Sequence, residues 1–396
     1  MMPRRILVTD GTQRSALAVV RSLGKIGHTV FVCAPRVPSL AGSSRYSFAE
    51  SEVPSALVSP VEFVNEVTLL VDRWRIDTLI PITEASLLAL LPERASVGAT
   101  IPFPDESVFR GITDKGAVLA AAKQLGIATP QQVVVRAKSD LAAVDLALLD
   151  YPVVLKPSRS VGENEGQRVA LGVMHVPDAK SLVPVVESLD DAAFPLLVQQ
   201  RIVGPGTGVF LLVWDGLVRA AFAHRRIREK PASGGVSVYS QSVAAEPELV
   251  ERSRQLLERM KWNGVAMIEY KLDASTGVPY LMEVNGRFWG SLQLAIDAGV
   301  DFPALLVAAS YGHPLPPVTT YSIGARSRWW WGDVDQLLSR WRKSDAELAL
   351  PPDAPSKLRA TLQFFSLLQP HNRSDVFRVR DVKPFVRETL DWFQRR

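Results

Sequence analysis

Glu269 lies inside one apolar run of the chain, residues 265–272, and Glu283 lies inside the next, residues 279–285. Both runs have the composition of strands. The polar, glycine-containing stretch 273–277 between them reads as a hairpin loop. With Asp273 opposite Pro279, the register sets Glu269 directly across from Glu283, and two-residue alternation puts Asn285 on the face of Glu283. Two carboxylates facing each other in an apolar ladder repel unless a cation lies between them. Mg²⁺ suits such a place, because it takes carboxylate and amide oxygens and leaves positions open for phosphate. A pair of glutamates on a solvated face is the simpler alternative. The apolar flanks, together with Asn285 and Arg287, favour a metal–phosphate site.

A second candidate is Lys156, which ends the apolar strand that begins at Val153. A lysine terminating a buried strand is costly unless it meets an anion. The small polar loop 158–166 follows, and Ser158, Ser160 and Gly162 suit a cover over phosphates, with backbone N–H groups and hydroxyls as donors. A lysine reaching out to water is the alternative. Arginines crowd residues 219–228, where a solvated strand competes with an anion site. His224 beside them reads as structural, and His28 and His175 carry no signal. For Trp329–Trp331, packing against the tail is favoured over a place in a substrate pocket.

These residues need elements to position them. The chain has 396 residues, enough for two or three cores, and its 47% hydrophobic and 22% charged content is that of a soluble globular protein. No apolar run reaches the length of a membrane-spanning helix. The basic N-terminus runs straight into an apolar strand, so it reads as the start of the fold rather than a signal peptide. The single cysteine, Cys33, excludes an intramolecular disulfide and a cysteine metal cluster, and it reads as a core residue. The cytoplasm is the expected compartment. A net charge of +4 is too mild and too dispersed for a nucleic-acid groove.

Strands at 5–9, 29–34, 78–82 and 100–103 alternate with helices at 15–23, 61–74 and 85–91, which predicts a parallel sheet covered by helices. The turn from Thr9 to Arg14 lacks the G-x-G-x-x-G spacing of a dinucleotide site. Further along, the pattern predicts helices at 116–125, 139–149 and 247–261 and strands at 131–136, 153–156 and 196–200. A Gly/Pro turn is expected at 204–208, then a hairpin of 209–214 and 217–224 over Asp215-Gly216. Helices at 291–298 and 303–311 precede a proline-rich boundary at 314–317. The tail reads as helices near 334–342, 355–368 and 383–394.

Taken in chain order, five pieces form a set. They are Asp114-Lys115, then Val153-Val-Leu-Lys156-Pro with its Ser/Gly loop, then Leu197-Val-Gln-Gln-Arg-Ile202. The arginine strand His224–Arg228 running to Gly234-Gly235 follows, and Glu269 with Glu283-Val-Asn285-Gly-Arg287 completes it. The set resembles the ATP-grasp superfamily, in its carboxylate–amine ligase-like branch with grasp domains like those of carbamoyl phosphate synthase and biotin carboxylase. The likeness covers about residues 105–312. It implies an α/β and α+β architecture: a small parallel α/β (pre-ATP-grasp) domain over 1–104, an N-lobe over 105–195, a C-lobe over 196–317 and a mostly helical extension over 318–396.

The resemblance also implies roles. Lys115 and Lys156 would contact the phosphates of ATP, under the loop carrying Ser158, Ser160 and Gly162. Gln199, Gln200, Arg201 and Ile202 would form the strand between lobes that meets the adenine. Glu269, Glu283 and Asn285 would hold two Mg²⁺ ions, with Mn²⁺ an alternative. Arg287, with Arg225 or Arg226, would stabilise the transferred phosphoryl group and the substrate carboxylate. The implied activity is an ATP-dependent ligase that makes an acyl phosphate and passes it to an amine. A grasp-fold kinase or a nucleotide-binding partner protein without turnover is the alternative. Loops 158–166 and 229–236 would act as lids. The implied partners are small-molecule carboxylates and amines, with neither nucleic acid nor membrane, and a homodimer is compatible. The chain departs from the family at Gln199-Gln200-Arg201, where an acidic residue is common, and it offers no evident contact for the ribose.

Overall fold

A computed structural model describes residues 2–145, 149–164, 167–350, 354–366 and 372–395. The N-terminal part contains β1 (Arg5–Val8), α1 (Arg14–Lys25), β2 (Thr29–Ala34), β3 (Ser47–Glu52), α2 (Pro60–Arg73), β4 (Thr78–Ile80), α3 (Glu84–Leu90) and the short α4 (Arg94–Val97). The four strands form a parallel sheet in the order β3-β2-β1-β4. β1, β2 and β4 are buried almost throughout, as expected of parallel strands covered on both faces. Cys33 is fully buried within β2. The predicted strand at 100–103 is reduced to a single bridge between Thr78 and Thr100. The polar β3 was not foreseen, because its sequence Ser-Phe-Ala-Glu-Ser-Glu lacks an apolar run.

Helices α5 (Glu106–Thr113) and α6 (Lys115–Gln124) lead into a second sheet. It is built from β5 (Gln132–Val135), β6 (Val153–Pro157), β9 (Met174–Val176) and β10 (Leu196–Gln200), all antiparallel in the order β5-β10-β6-β9. The hairpin of β7 (Val161–Asn164) and β8 (Gln167–Ala170) stands apart from it, and α7 (Ala179–Glu187) covers one face. The helix expected at 139–149 is a 3-10 turn over Lys138–Ala143; residues 146–148 lie outside the described residues, as do 165–166 of the predicted loop.

The third sheet has seven strands, β15-β14-β11-β12-β13-β16-β17. They are β11 (Gly206–Trp214), β12 (Leu217–Lys230), β13 (Val236–Val243), β14 (Gly264–Leu272), β15 (Pro279–Asn285), β16 (Arg326–Arg328) and β17 (Asn372–Ser374). Helices α8 (Pro247–Arg259), α9 (Leu292–Ala298) and α10 (Phe302–Ser310) pack on it, followed by α11 (Trp330–Arg342), α12 (Lys357–Phe365) and α13 (Lys383–Gln394). The expected hairpin turn at Asp215-Gly216 is present, both residues having positive φ. The Gly/Pro turn read at 204–208 is shorter than expected, since β11 already begins at Gly206.

The C-terminal region is helical as expected, but it also extends the large sheet. β16 pairs antiparallel with β13, and β17 pairs parallel with β16. The end of the helix predicted at 355–368 lies outside the described residues. The tail reaches the first sheet as well: Arg21 in α1 is buried and donates to Asp381 at 2.8 Å. Among the described residues no single helix is long and apolar enough to cross a membrane.

Candidate functional site

A cavity of about 750 Å³ opens between the three sheets and the tail. Its floor is the hairpin of β14 and β15. Glu269 pairs directly with Glu283, the expected register, but by a different route. Pro279 faces Leu272 rather than Asp273, and a bulge at Met282 restores the alignment of the two glutamates. Asn285 shares the face of Glu283 and donates to its Oε1 at 3.0 Å. Arg287 in turn donates to Asn285 Oδ1 at 3.3 Å.

The two carboxylates have different environments. Burial alone would raise Glu283, but Lys115, the Asn285 amide, Lys156 and Arg287 outweigh it and hold the group well below the usual carboxylate range. Glu269 is raised by burial, an effect that the Arg226 guanidinium only partly offsets and that Glu283 reinforces. Arg226 makes a bidentate pair with Glu269, one arm at 2.8 Å, and also donates to Glu229 Oε1 at 2.7 Å. Arg226 reaches Glu269 because β11 carries glycine where the guanidinium crosses it. A Cβ on Gly206 would sit 3.0 Å from Arg226 Cδ.

The opposite wall comes from the second sheet. Alternation puts Val153, Leu155, Leu196 and Val198 into an apolar cluster, while Val154, Lys156 and Gln199 line the cavity. Burial lowers the Lys156 ammonium, with Glu283 and Glu269 pulling the other way. Lys115 enters at the start of α6, where the Asp114 side chain caps the helix by accepting the Ala117 N–H at 3.0 Å. The same Asp114 oxygen accepts from Ser158 Oγ at 2.8 Å, and the Lys115 N–H donates to the Ser158 carbonyl. Lys115 Nζ then lies 3.0 Å from Ser160 Oγ and 3.6 Å from Glu283 Oε2.

Of the residues singled out from sequence, twelve line this one cavity: Lys115, Lys156, Ser160, Gln199, Gln200, Arg201, Ile202, Arg226, Glu269, Glu283, Asn285 and Arg287. Three do not. Ser158 is buried and spent on Asp114, and Gly162 packs so closely that a Cβ would lie 2.7 Å from the Ala192 carbonyl. Arg225 is exposed, on the other face of β12, and donates to Gln241. The stretch 229–236 is the tip of the β12–β13 hairpin, and Glu229, Lys230, Gly234 and Gly235 line the cavity.

Other lining residues were missed or underrated. Thr12–Ser15 and Ile82–Glu84 span the loops after β1 and β4 and the first residues of α1 and α3, where the connections of the parallel sheet diverge and ligand crevices form. Asp10 ties those loops together, accepting from the Thr83 N–H at 3.1 Å and from Ser86 Oγ at 2.9 Å. Glu84 is raised by burial, against the pull of Arg287 and Lys115. His175 faces the cavity. Burial, with Arg201, Lys271 and Lys156, lowers it to about 4, so it is neutral at pH 7. Trp329 and Trp331 line the cavity as well as packing on the tail. Among the described residues no trio of His, Cys, Asp or Glu is grouped as a metal set; the oxygen donors on the hairpin floor are two carboxylates and an amide.

Residues 193–329 match the family model described as "ATP-grasp in the biosynthetic pathway with Ter operon". No curated protein sequence matches the chain. Among solved structures, the biotin carboxylase–β,γ-ATP complex from Campylobacter jejuni is similar at a TM-score of 0.65 and 14% identity, with 82% of this chain and 74% of that one covered. The L-amino acid ligase from Bacillus licheniformis is similar at 0.61 and 18%, covering 78% and 74%. The N5-carboxyaminoimidazole synthetase from Staphylococcus aureus, complexed with ADP, is similar at 0.62 and 14%, covering 82% and 80%. The chain thus shares the fold of these structures over most of its length, and about a third of it, residues 193–329, matches an ATP-grasp family model.

Proposed function

We propose that the protein is an ATP-dependent ligase, which activates a carboxylate as an acyl phosphate with Mg·ATP and joins it to an amine. One observation carries this reading. Glu269 and Glu283 oppose each other in a cavity that Lys115, Lys156, Arg226 and Arg287 also enter. The similarity to the ATP- and ADP-bound structures above supports a nucleotide in that place.

The donor set fits the implied metal. Glu269, Glu283 and Asn285 offer hard oxygens, which match Mg²⁺, and phosphate oxygens would complete the coordination. Bound there, Mg²⁺ would neutralise and orient the phosphates. The protein's own groups do the rest. Lys115 approaches from the start of α6 and Lys156 from β6, and the two are placed to hold phosphate oxygens between them. Gln199–Ile202 and the neutral His175 offer backbone and ring partners for a base. Arg226 and Arg287 supply the positive charge that a phosphoryl group in transfer requires. Arg226 is paired with Glu269 here, so it keeps the carboxylate from facing Glu283 uncompensated. The acyl phosphate must be kept from water, and Ser160 with Ser233, Gly234 and Gly235 of the β12–β13 hairpin tip, which line the cavity, are placed to exclude it. A cavity of this size takes small molecules rather than nucleic acid or membrane. The protein is proposed to work in the cytoplasm.

The test is a pairwise screen of carboxylates and amines, scored by phosphate release and by product mass. A condensed product appearing with ADP and phosphate is the expected result; ADP without condensation would indicate a kinase. In the same assay Glu283→Gln should lower Mg²⁺-dependent ADP formation by about a hundredfold or more. Wild-type rates in that variant would remove the metal assignment.

A further inference from the structure

The cavity wall contributed by the C-terminal region differs in character from the hairpin floor. Three indoles line it, Trp329, Trp331 and Trp392. Each N–H is anchored: Trp329 donates to Glu388 Oε1 at 2.7 Å, Trp331 to Thr389 Oγ1 at 2.9 Å and Trp392 to Asp335 Oδ1 at 2.8 Å. The rings of Trp331 and Trp392 also stack, with centroids 4.2 Å apart. Rings fixed by both contacts form a rigid aromatic surface. This surface already accommodates cations, since the Arg14 guanidinium lies 4.0 Å from the Trp329 ring centroid and Lys230 Nζ lies 5.6 Å from it.

Most of the acidic groups on this wall are matched by a base. Arg14 is paired with Asp375, and Lys230 with Asp335 at 2.5 Å. Asp391 is paired with Arg36 at 2.8 Å and with Arg387. Among the described residues Glu388 has no such partner within salt-bridge distance; its Oε1 is held by a neutral indole N–H. Its Oε2 is buried and has no hydrogen-bond partner among the described residues. A buried carboxylate oxygen left without a donor is costly, and a cationic N–H donor would remove that cost.

We propose that this wall is the recognition site for the amine substrate, whose ammonium group is held by Glu388 against the aromatic surface of Trp329, Trp331 and Trp392. The use made of the amine rests on the ligase reading above; its binding does not. The assignment sorts the reactants by charge. Phosphates and carboxylate belong with Lys115, Lys156, Arg226 and Arg287, and the amine belongs at the aromatic end beside Glu388. The C-terminal region thereby selects the acceptor, while the rest of the fold handles the nucleotide.

The experiment titrates the full-length protein with phenethylamine and follows tryptophan fluorescence, with 2-phenylethanol as an uncharged control of the same size. Saturable binding of the amine is expected in the wild type, weakened by about tenfold or more in Glu388→Gln. Glutamine keeps an acceptor for the Trp329 N–H, and the alcohol should respond to neither protein differently. Trp392→Leu leaves the carboxylate in place and should weaken the amine about fivefold; it decides the matter if Glu388→Gln does not fold. Equal amine affinity in wild type and variants, or an alcohol bound as tightly as the amine, overturns the proposal. Calorimetry of Mg·ATP on the wild type is run in parallel. Amine binding without ATP binding would remove the ligase reading and leave the amine site standing. ATP binding without amine binding would remove the amine site alone.

Discussion

Arg226 stands between two buried carboxylates, so its removal would leave Glu269 and Glu229 without their shared cation. Breaking a buried ion pair from one side strands the other charge in a poor solvent. Arg226→Met is therefore expected to lower the unfolding free energy by about 3–5 kcal/mol, read by urea denaturation at pH 7. Arg225, one residue away, is exposed and bonded only to Gln241 among the described residues. Arg225→Ala should change stability by no more than about 0.5 kcal/mol. Similar losses in both variants would mean that the pairing of Arg226 carries no special weight. Strand alternation explains why neighbours differ so sharply, because successive side chains on β12 point to opposite faces of the sheet.

At the level of elements, the junction between β10 and β11 ties β10 to the β14–β15 hairpin. The Leu272 N–H donates to the Pro205 carbonyl, and the Ala274 N–H to the Val203 carbonyl. Gly204 sits in that junction with φ +152°, and a Cβ there would fall 1.7 Å from the Leu272 carbonyl oxygen. Backbone cannot yield as a side chain can. Gly204→Ala should cost about 2–3 kcal/mol or more and shift the hairpin that carries Glu269, so a melting temperature equal to wild type would show that the junction is loose. The alternation of strands and helices in the N-terminal part was legible because parallel strands are continuous apolar runs. The β14–β15 hairpin was legible because its strands flank a polar loop. The bulge at Met282 was not, since register slips leave no mark on the hydrophobic pattern. β16 and β17 were hidden for a related reason. Three polar residues become a strand only when the edge of a distant sheet receives them.

Long-range assembly accounts for what sequence left unread in the site as well. Thr12–Ser15 and Glu84 come from the region of the parallel sheet, His175 from the second sheet, and Trp392 and Glu388 from the last helix. No local pattern announces that such residues share a cavity. Glu388 gives this assembly a measurable signature. Burial lifts its carboxyl from 4.5 to about 7, with Asp375 and Asp391 reinforcing the rise and the Trp329 N–H and Arg14 opposing it. Below 4.5 the group holds its proton in both the folded and the unfolded chain, and it adds no pH dependence. Between 4.5 and about 7 only the folded chain retains the proton, so each step up in pH favours unfolding. Above about 7 both states are ionised and this loss is complete. Denaturant titrations of wild type and Glu388→Gln from pH 4.5 to 8 should therefore show the wild type losing stability relative to the variant across that window, with no further divergence beyond it. Glutamine cannot ionise, so the difference between the two curves isolates this one group from all others that titrate. A cation bound beside Glu388 would favour its charged form and draw the midpoint downward. Repeating the titration with saturating phenethylamine should thus move the divergence toward lower pH, and an unmoved midpoint would place the ammonium elsewhere in the cavity.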